Sequence, residues 1–315
     1  MSSASFDFVD LFAGIGGMRL AFEGVGGKCV FSSEWDPFAK RTYAANFGEV
    51  PHGDITKVES SEIPDFDVLS AGFPCQPFST IGKREGFSHP TQGTLFHEVV
   101  RVLDDHRECS AILLENVVGL VTHDGGRTLG VIEASLAELG FVYDYRILDA
   151  YDFGVPQRRQ RIYIVGYRRN RKSKGGRRDL AWVLPRKRHV DIGPFIESRA
   201  RGYEISRHLQ EAYLAKLDDG RPEIVHRGTT GPVKTLVASY FKIQRLTGTF
   251  VRGGETGLRL LTESECKAIM GFPEDFEVPV SRSQMYKQFG NSVAVPVVSA
   301  LAQWISSDLI RASRG

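Results

Sequence analysis

Cysteine is scarce in this sequence, and long apolar stretches are missing. Only four of the 315 residues are cysteine, and no two of them form a C-x-x-C pair. This spacing argues against a zinc site and against a disulfide framework. No uninterrupted apolar run approaches the ~18 residues of a membrane span, and Asp7 and Asp10 interrupt the apolar N-terminus. We therefore expect a cytoplasmic protein without a membrane segment, a secretory leader or a bound metal.

The chain also lacks a strong excess of one charge sign, but its charges are unevenly spread. The formal net charge is +2, yet residues 158–188 hold thirteen Lys and Arg against one acid, Asp179. That stretch therefore carries +12, and the rest of the chain carries −10. A basic block on an acidic chain favours a polyanionic partner. A solvated linker would have the same composition, and composition alone does not separate the two.

Strand-like and helix-like segments alternate through the first half of the chain. Strands are predicted at residues 6–12, 29–35, 67–72, 111–117, 142–149 and 161–167, and helices at 18–26, 36–47, 93–106 and 128–140. Asp36 and Pro37 form a typical helix start, with an N-cap acid and proline at the first position. This alternation predicts an α/β fold, with a doubly wound, mostly parallel sheet and helices on both faces.

The alternation stops near residue 168. Residues 169–259 are rich in Arg, Lys and Gly, and regular patterns return only at 261–272 and 293–310. We therefore predict a first domain at 1–168, a smaller second domain at 169–259, and a segment at 260–315 that returns to the first domain.

A glycine turn, "DLFAGIGG" at residues 10–17, follows the first predicted strand and opens a helix. Such turns bring the backbone close to a nucleotide. Arg19 stands where a dinucleotide fingerprint would have its third glycine, which argues against NAD. Glu34, at the end of the second strand, can accept hydrogen bonds from ribose hydroxyls, Trp35 can stack on adenine, and Asp54 is a further acceptor. The pattern predicts a nucleoside without pyrophosphate, such as S-adenosylmethionine. A tight structural turn with a surface acid is the alternative.

Cys75 lies in a stiff segment, "GFPCQPFS", between Pro74 and Pro77. It follows directly after a predicted strand, at the edge of the sheet where α/β folds bind ligands. Glu115 ends the next predicted strand, which places a carboxylate nearby. An inert buried thiol is the common role of an isolated cysteine, but this position favours a nucleophile.

Two arginines could activate that thiol. A free thiol, with a pKa of ~8.5, is mostly protonated at neutral pH, so positive neighbours would favour the thiolate. Arg159 and Arg161 alternate along a predicted strand and therefore point to the same face. An exposed strand face that binds only phosphates is the alternative.

Zinc-dependent deamination does not fit this cysteine. That chemistry needs H-x-E followed by P-C-x-x-C, but Phe78 stands in place of the second cysteine. A thiol without metal, beside an acid and a nucleoside cofactor, indicates covalent activation of an electron-poor ring.

Taken together, these motifs closely resemble the DNA (cytosine-5)-methyltransferases of bacterial restriction–modification systems. Eight motifs occur in that family's order and cover nearly the whole chain outside residues 169–259: "DLFAGIGG", "SEWD", "GDIT", "GFPCQPFS", "ENV", "QRRQR", "LTESECKAIMGFP" and "YKQFGNSV". The resemblance implies the S-adenosylmethionine-dependent methyltransferase fold, with residues 169–259 as the target recognition domain.

The resemblance also assigns residues to roles. It implies a cofactor site formed by Phe12, Gly14, Gly16, Gly17, Glu34, Trp35, Asp54, Ile55, Pro74 and Asn291. It implies a catalytic set of Cys75, Glu115, Arg159 and Arg161. DNA contacts are expected from Gln76, Ser79, Ile81, Lys83, Arg84, Thr235 and Leu236. Thr91 and Gln92 depart from the family's usual acid and arginine, which affects one expected phosphate contact.

The implied reaction methylates carbon 5 of cytosine in a specific double-stranded DNA sequence. The Cys75 thiolate adds to carbon 6 while Glu115 binds N3 and the amino group, which makes carbon 5 nucleophilic. Arg159 is expected to bind the base carbonyl oxygen, and Arg161 to orient Glu115 or Cys75. The base must leave the duplex to be attacked. The enzyme is expected to be a monomer and the modification partner of a restriction system.

Three other functions match parts of the sequence less well. Transfer-RNA cytosine methyltransferases share these catalytic motifs, although their Cys-Phe-Thr element is absent here. A catalytically silent DNA-binding relative would not need Cys75 and Glu115. A nicotinamide dehydrogenase would need the missing glycine.

Overall fold

The computed structural model describes residues 6–74, 95–168, 175–185, 187–215, 217 and 219–313, with side chains up to Ile310. The strands are β1 (Phe6–Leu11), β2 (Gly27–Ser33), β3 (Val68–Gly72), β4 (Ala111–Val117), β5 (Phe141–Asp149), β6 (Gln160–Arg168), β7 (Gly176–Arg177), β8 (Glu223–Val225), β9 (Thr249–Arg252) and β10 (Leu258–Arg259). The helices are α1 (Gly17–Glu23), α2 (Pro37–Phe47), α3 (Leu95–Asp105), α4 (Arg127–Glu138), α5 (Arg207–Leu209), α6 (Glu263–Met270), α7 (Arg282–Asn291) and α8 (Val295–Ser313).

The larger sheet has seven strands in the order β2-β1-β3-β4-β6-β5-β7. Strand β6 runs antiparallel to both of its neighbours, and the other pairs are parallel. A parallel connection between two strands needs a dozen or more residues, usually with a helix. Only residues 150–159 join β5 to β6, so these two strands pair antiparallel. The mostly parallel sheet predicted from the sequence is confirmed, with β6 as its one reversal.

Helices cover both faces of this sheet because its buried strands present apolar side chains on alternating sides. Val9 and Leu114 point to the face that α3 and α4 cover. Phe8 and Leu113 point to the opposite face, where α1 and α8 pack. The strand–helix alternation of residues 6–168 therefore predicted the layers correctly.

Helix α8 belongs to the core of the larger sheet. Its Val298, Leu301 and Ile305 are buried in the same cluster as Phe8 and Phe22. By length and composition alone, Arg282–Ile310 could cross a membrane, but 56% of its most apolar window is buried inside the protein. We therefore describe α8 as a core helix.

A second core forms around a small sheet in the order β10-β9-β8. Helices α6 and α7 share this core with residues between 192 and 251. A buried ion pair joins the sheet to α6, with Arg259 Nη2 2.6 Å from Glu265 Oε1. The predicted segment 260–315 is thus divided between the two cores. Its first two helices pack beside the small sheet, and its last helix packs beside the large one.

Candidate active site

The carboxyl ends of β1 to β4 border a cavity of about 590 Å³. Parallel α/β sheets bind ligands at this edge. The wall includes most of the residues predicted from the sequence: Phe12, Gly14, Gly17, Glu34, Trp35, Asp54, Ile55, Pro74, Glu115, Arg159, Arg161 and Asn291. Among the described residues, no group of three or more His, Cys, Asp or Glu side chains is placed to hold a metal ion.

The turn after β1 needs glycine at two positions for different reasons. Gly16 has φ of 88°, and a Cβ there would lie 2.2 Å from the Phe47 ring. A Cβ on Gly17 would lie 2.7 Å from a methyl group of Val293, where α1 approaches the start of α8. Gly17 lines the cavity, but Gly16 does not. The geometry of Gly16 therefore supports the turn and provides no direct ligand contact.

Glu34 is held rigidly at the end of β2. Its Oε2 accepts a hydrogen bond from Gly14 N at 2.8 Å, and its Oε1 accepts one from Asp36 N at 2.7 Å. Burial raises the pKa of this carboxyl group. Each carboxylate oxygen has more than one lone pair, so Glu34 can still accept hydrogen bonds from ligand hydroxyls. The neighbouring Trp35 side chain is 76% exposed and lines the same cavity, which leaves its indole face available for stacking.

Glu115 and Arg161 are paired on another part of the cavity wall. They lie on adjacent antiparallel strands, β4 and β6, and Arg161 Nε is 3.1 Å from Glu115 Oε1. Burial raises the pKa of Glu115, and the positive charges of Arg161 and Arg159 partly offset that effect. The arrangement gives a carboxyl group that holds its proton more tightly than an exposed one.

Arg159 is fully buried and ties three chain segments together. Its Nη1 donates to Leu236 O at 3.0 Å, and its Nη2 donates to Gly290 O at 3.0 Å and to Ser292 O at 2.5 Å. Its Nε has no hydrogen-bond partner among the described residues. Burial and the charge of Arg161 lower the pKa of Arg159 to about 9, so it is still a cation at neutral pH. Three of its five N–H donors are thus used, and the Nε hydrogen and one Nη1 hydrogen have no partner among the described residues.

Thr235 and Leu236 attach the second core to this wall. Thr235 Oγ1 donates to Arg158 O at 2.7 Å, and Leu236 N donates to Gln157 Oε1 at 2.7 Å. Gln157 Nε2 in turn donates to Ile269 O at 2.7 Å. Leu236 is only 3% exposed. Its side chain therefore has almost no surface with which to make the predicted DNA contact, and the pair acts here through its backbone and the threonine hydroxyl.

Six predicted residues lie outside the described part of the chain: Cys75, Gln76, Ser79, Ile81, Lys83 and Arg84. The last described residues before them, Phe73 and Pro74, line the cavity. Asn116 Nδ2 donates to Phe73 O at 2.9 Å, which fixes this segment against the end of β4. The chain therefore leaves the described region at the cavity wall, one residue before Cys75.

Sequence reasoning left several wall residues without a role, among them Ser33, Lys287 and Gln288. Lys287 Nζ lies 2.6 Å from Asp36 Oδ2 and links α7 to the start of α2. Helix periodicity could have found both α7 residues, because positions three and four before Asn291 share its face.

Solved structures support the fold. A DNMT2 of Spodoptera frugiperda matches with a TM-score of 0.74 and 25% identity, covering 94% of this chain and 98% of that one. The Dnmt2 methyltransferase of S. pombe matches with a TM-score of 0.76 and 22% identity, covering 96% of this chain and 99% of that one. At 22% identity, the similarity to the S. pombe structure is evidence for the fold alone.

Several proteins of known activity have a higher sequence identity to this chain than these solved structures do. The type II methyltransferase M.MspI of Moraxella sp is 57% identical over 306 residues, which cover 96% of this chain and 71% of the relative. The type II methyltransferase M.BsuFI of Bacillus subtilis is 55% identical over 306 residues, covering 97% and 73%. The family model described as C-5 cytosine-specific DNA methylase matches residues 6–307. The chain belongs to this family, and it is a DNA cytosine-5 methyltransferase of the type II restriction–modification kind.

Proposed function

We propose that this enzyme transfers a methyl group from S-adenosylmethionine to carbon 5 of a flipped-out cytosine in one double-stranded DNA sequence, through a covalent bond between Cys75 and carbon 6. One observation carries the proposal. Glu34 and Trp35 lie on one wall of the cavity, and the Glu115–Arg161 pair lies on another. A nucleoside cofactor and a nucleobase bound to these two groups would meet in a single chamber.

The residues of the first wall fit S-adenosylmethionine. Glu34 offers fixed acceptors for ribose hydroxyls, and Trp35 offers an open aromatic face for adenine. When bound, the cofactor would supply an electrophilic methyl group on its sulfonium.

The residues of the second wall fit a cytosine. Because burial raises the pKa of Glu115, this side chain is suited to keep a proton and donate it to N3 of the ring. Arg161 holds the carboxyl group in place, and the free Nε of Arg159 is the donor for the base carbonyl oxygen. Protonation at N3 accompanies addition of the thiolate to carbon 6. Carbon 5 then accepts the methyl group and loses its own proton to solvent. The Cys75 thiolate leaves carbon 6, and N3 returns its proton to the Glu115 carboxylate, which restores the neutral aromatic ring.

The burial and the raised pKa of the other three cysteines support Cys75 as the nucleophile. Cys109 and Cys266 are completely buried, and burial raises the pKa of both thiols, that of Cys109 to about 12. Burial also raises the pKa of Cys29 to about 12. A thiol with such a pKa is a poor source of thiolate at neutral pH. Of the four cysteines, Cys75 is the one left to carry the reaction.

We further propose that residues 169–259 form the target recognition domain, between a catalytic domain at 1–168 and a returning segment at 260–315. The small sheet, which is separate from the large one, supports a distinct unit, and its core is shared with α6 and α7 of the returning segment. Phe241 and Leu246 are 39% and 58% exposed at its surface, whereas Tyr240 and Arg245 are buried. Base contacts are therefore expected from the exposed part of this stretch. A monomeric state and a cytoplasmic location stay predictions.

Mapping the methylated bases tests the function. A duplex of mixed sequence and a pool of transfer RNA are each incubated with the protein and S-adenosylmethionine, and the modified bases are located by sequencing. We expect 5-methylcytosine in one duplex sequence context and none in the RNA. Methylation of the RNA alone would contradict the proposal and favour the transfer-RNA alternative.

Replacing Glu34 with alanine should weaken cofactor binding. The change removes a charge-assisted acceptor for ribose hydroxyls, so we expect a loss of about 1.5–3 kcal/mol in binding free energy by calorimetry. Glu49→Ala is the matched control, because Glu49 pairs with Arg19 and does not line the cavity. Unchanged affinity in the Glu34 variant would show that this carboxylate does not bind the ribose.

A further inference from the structure

Residues 176–185 and 187–189, part of the basic block found in the sequence, form a strap along strand β5. The strap begins at β7, which pairs parallel with the start of β5. It continues past the end of β5, where Lys187 N donates to Asp152 O at 2.9 Å. The strap therefore follows the whole of β5, a length of about 27 Å at the usual rise per residue.

The strap is packed against the sheet and α8. Trp182 is 8% exposed, and its Nε1 donates to Asp144 Oδ2 on β5 at 2.9 Å. The centroid of its ring lies 5.1 Å from that of Trp304 on α8. Leu180 and Leu184 pack against the same core. A solvated linker would not bury an indole, so the described part of the basic block is an ordered element of the fold.

The outer side of the strap carries positive charges that have no protein partner. Arg178, Lys187 and Arg188 are exposed, and their side chains form no ion pair or hydrogen bond with the described residues. The acids beside the strap already have basic partners: Asp144 with Arg177, Asp152 with His189, and Asp179 with Arg146. The three exposed cations are therefore available to bind a polyanion.

The strap and the cavity lie on different parts of the surface. The cavity borders the carboxyl ends of β1 to β4, and no residue of the strap lines it. Strand β5 runs parallel to β4, because both are antiparallel to β6. The strap therefore begins near the far edge of the sheet and runs toward the cavity edge. A duplex that lies across the carboxyl edge does not also follow β5, because so sharp a bend over so short a length costs free energy.

We propose that the strap is a second binding surface for duplex DNA, which holds the phosphate backbone of another DNA segment without reading its sequence. Phosphate contacts from Lys and Arg need no base recognition. Among polyanions, duplex DNA fits best because DNA is what this family methylates. A segment held there keeps the enzyme on long DNA between successive methylations. The inference depends on the DNA substrate and not on the proposed cofactor or nucleophile.

The test asks whether the enzyme binds a second duplex while the first stays in place. The enzyme is saturated with a short, dye-labelled duplex that carries the mapped target. A duplex of A·T pairs alone, labelled with another dye, is then titrated over a series of salt concentrations. We expect it to bind without releasing the target duplex. Each phosphate contact contributes about −0.9 to the slope of log affinity against log salt, so three contacts give about −2.7.

The strap variant combines Arg178→Gln, Lys187→Gln and Arg188→Gln, which keep the side-chain stems and remove the charges. At low salt its affinity for the second duplex should fall at least about ten-fold, and the salt slope should flatten. On long DNA with many targets it should dissociate after fewer methylations. Its turnover on the short target duplex should stay unchanged, which also shows that the variant is folded.

The matched control combines Lys28→Gln, Arg41→Gln and Lys57→Gln. These cations are exposed, and they form no ion pair with the described residues and lie on β2, α2 and the segment after it, near the other edge of the sheet. The control removes the same net charge as the strap variant. Its affinity for the second duplex should stay within about two-fold of that of the unaltered enzyme.

Several results would overturn the inference. The unaltered enzyme could fail to bind a second duplex, or could release the target duplex as the second one binds, which would place both in one site. An equal loss in the strap variant and the control would show an effect of net charge alone. Tighter binding of transfer RNA than of the duplex would assign the strap to RNA. A failure of the unaltered enzyme to methylate any duplex would instead refute the proposed function, so the two failures are distinguishable.

Discussion

Alanine at position 75 is expected to abolish methyl transfer, with a loss of at least about 10⁴-fold, the order found when a catalytic nucleophile is removed. Without the sulfur, no bond forms at carbon 6, and carbon 5 of cytosine stays too weakly nucleophilic to take the methyl group. Cofactor binding should be retained, because Glu34 and Trp35 are unchanged.

A trapping experiment isolates this step. A duplex with 5-fluorocytosine at the target blocks the final loss of a proton from carbon 5, so the unaltered enzyme should form a protein–DNA adduct that survives denaturation. Cys75→Ala should form none, whereas Cys29→Ala, a matched removal of another thiol, should form it normally. An undiminished adduct in Cys75→Ala would assign the nucleophile to another residue.

Replacing Glu115 with glutamine is expected to slow methyl transfer by about 10²–10⁴-fold, the usual contribution of a general acid. The amide keeps the shape of the side chain but cannot give a proton to N3. In the proposed mechanism the protonated carboxyl group is the active form. The turnover rate at saturating substrates should therefore fall as pH rises through the raised pKa of Glu115.

The pH profiles of two variants check this assignment. The fall in turnover rate at high pH should disappear in Glu115→Gln. In Arg161→Met it should move to higher pH, because the Arg161 charge lowers the pKa of its partner and its removal raises that pKa further. If Glu115→Gln kept the same alkaline fall, another group would be responsible for it.

Some elements could be predicted from the sequence because short local patterns, such as a helix cap or an apolar run, specify them. The start of α2 was predictable because Asp36 caps it through the backbone N–H groups of Phe38 and Ala39, and Pro37 follows at the first position. Strand β4 occupies the predicted residues 111–117, where an apolar run ends in Glu115. The start of α2 and the end of β4 are specified by residues that are neighbours in the sequence. Both lie at the carboxyl edge of the sheet, so the sequence could also predict that they border the ligand cavity.

Contacts between distant residues could not be predicted in this way. Arg159 is predicted to contact the base, and the structure adds a bond from its Nη1 to Leu236 O, 77 residues further along the chain. No local pattern specifies such a partner. The small sheet was also missed, because β8, β9 and β10 are two to four residues long and are stabilised by a core shared with α6 and α7. Such short strands leave little periodicity to detect.

The attachment of Leu236 to Arg159 and Gln157 has an evolutionary consequence. A restriction–modification enzyme acquires a new target sequence through changes in its base-reading surface, while its chemistry stays the same. Here the segment proposed to read bases, with Phe241 and Leu246 exposed, begins a few residues after a backbone that Arg159 and Gln157 hold in place. Mutational freedom is therefore greatest at exposed positions such as Phe241 and Leu246. A change that displaces residues 233–236 would alter the position of Arg159 as well, and selection for activity would remove it before any new specificity could spread.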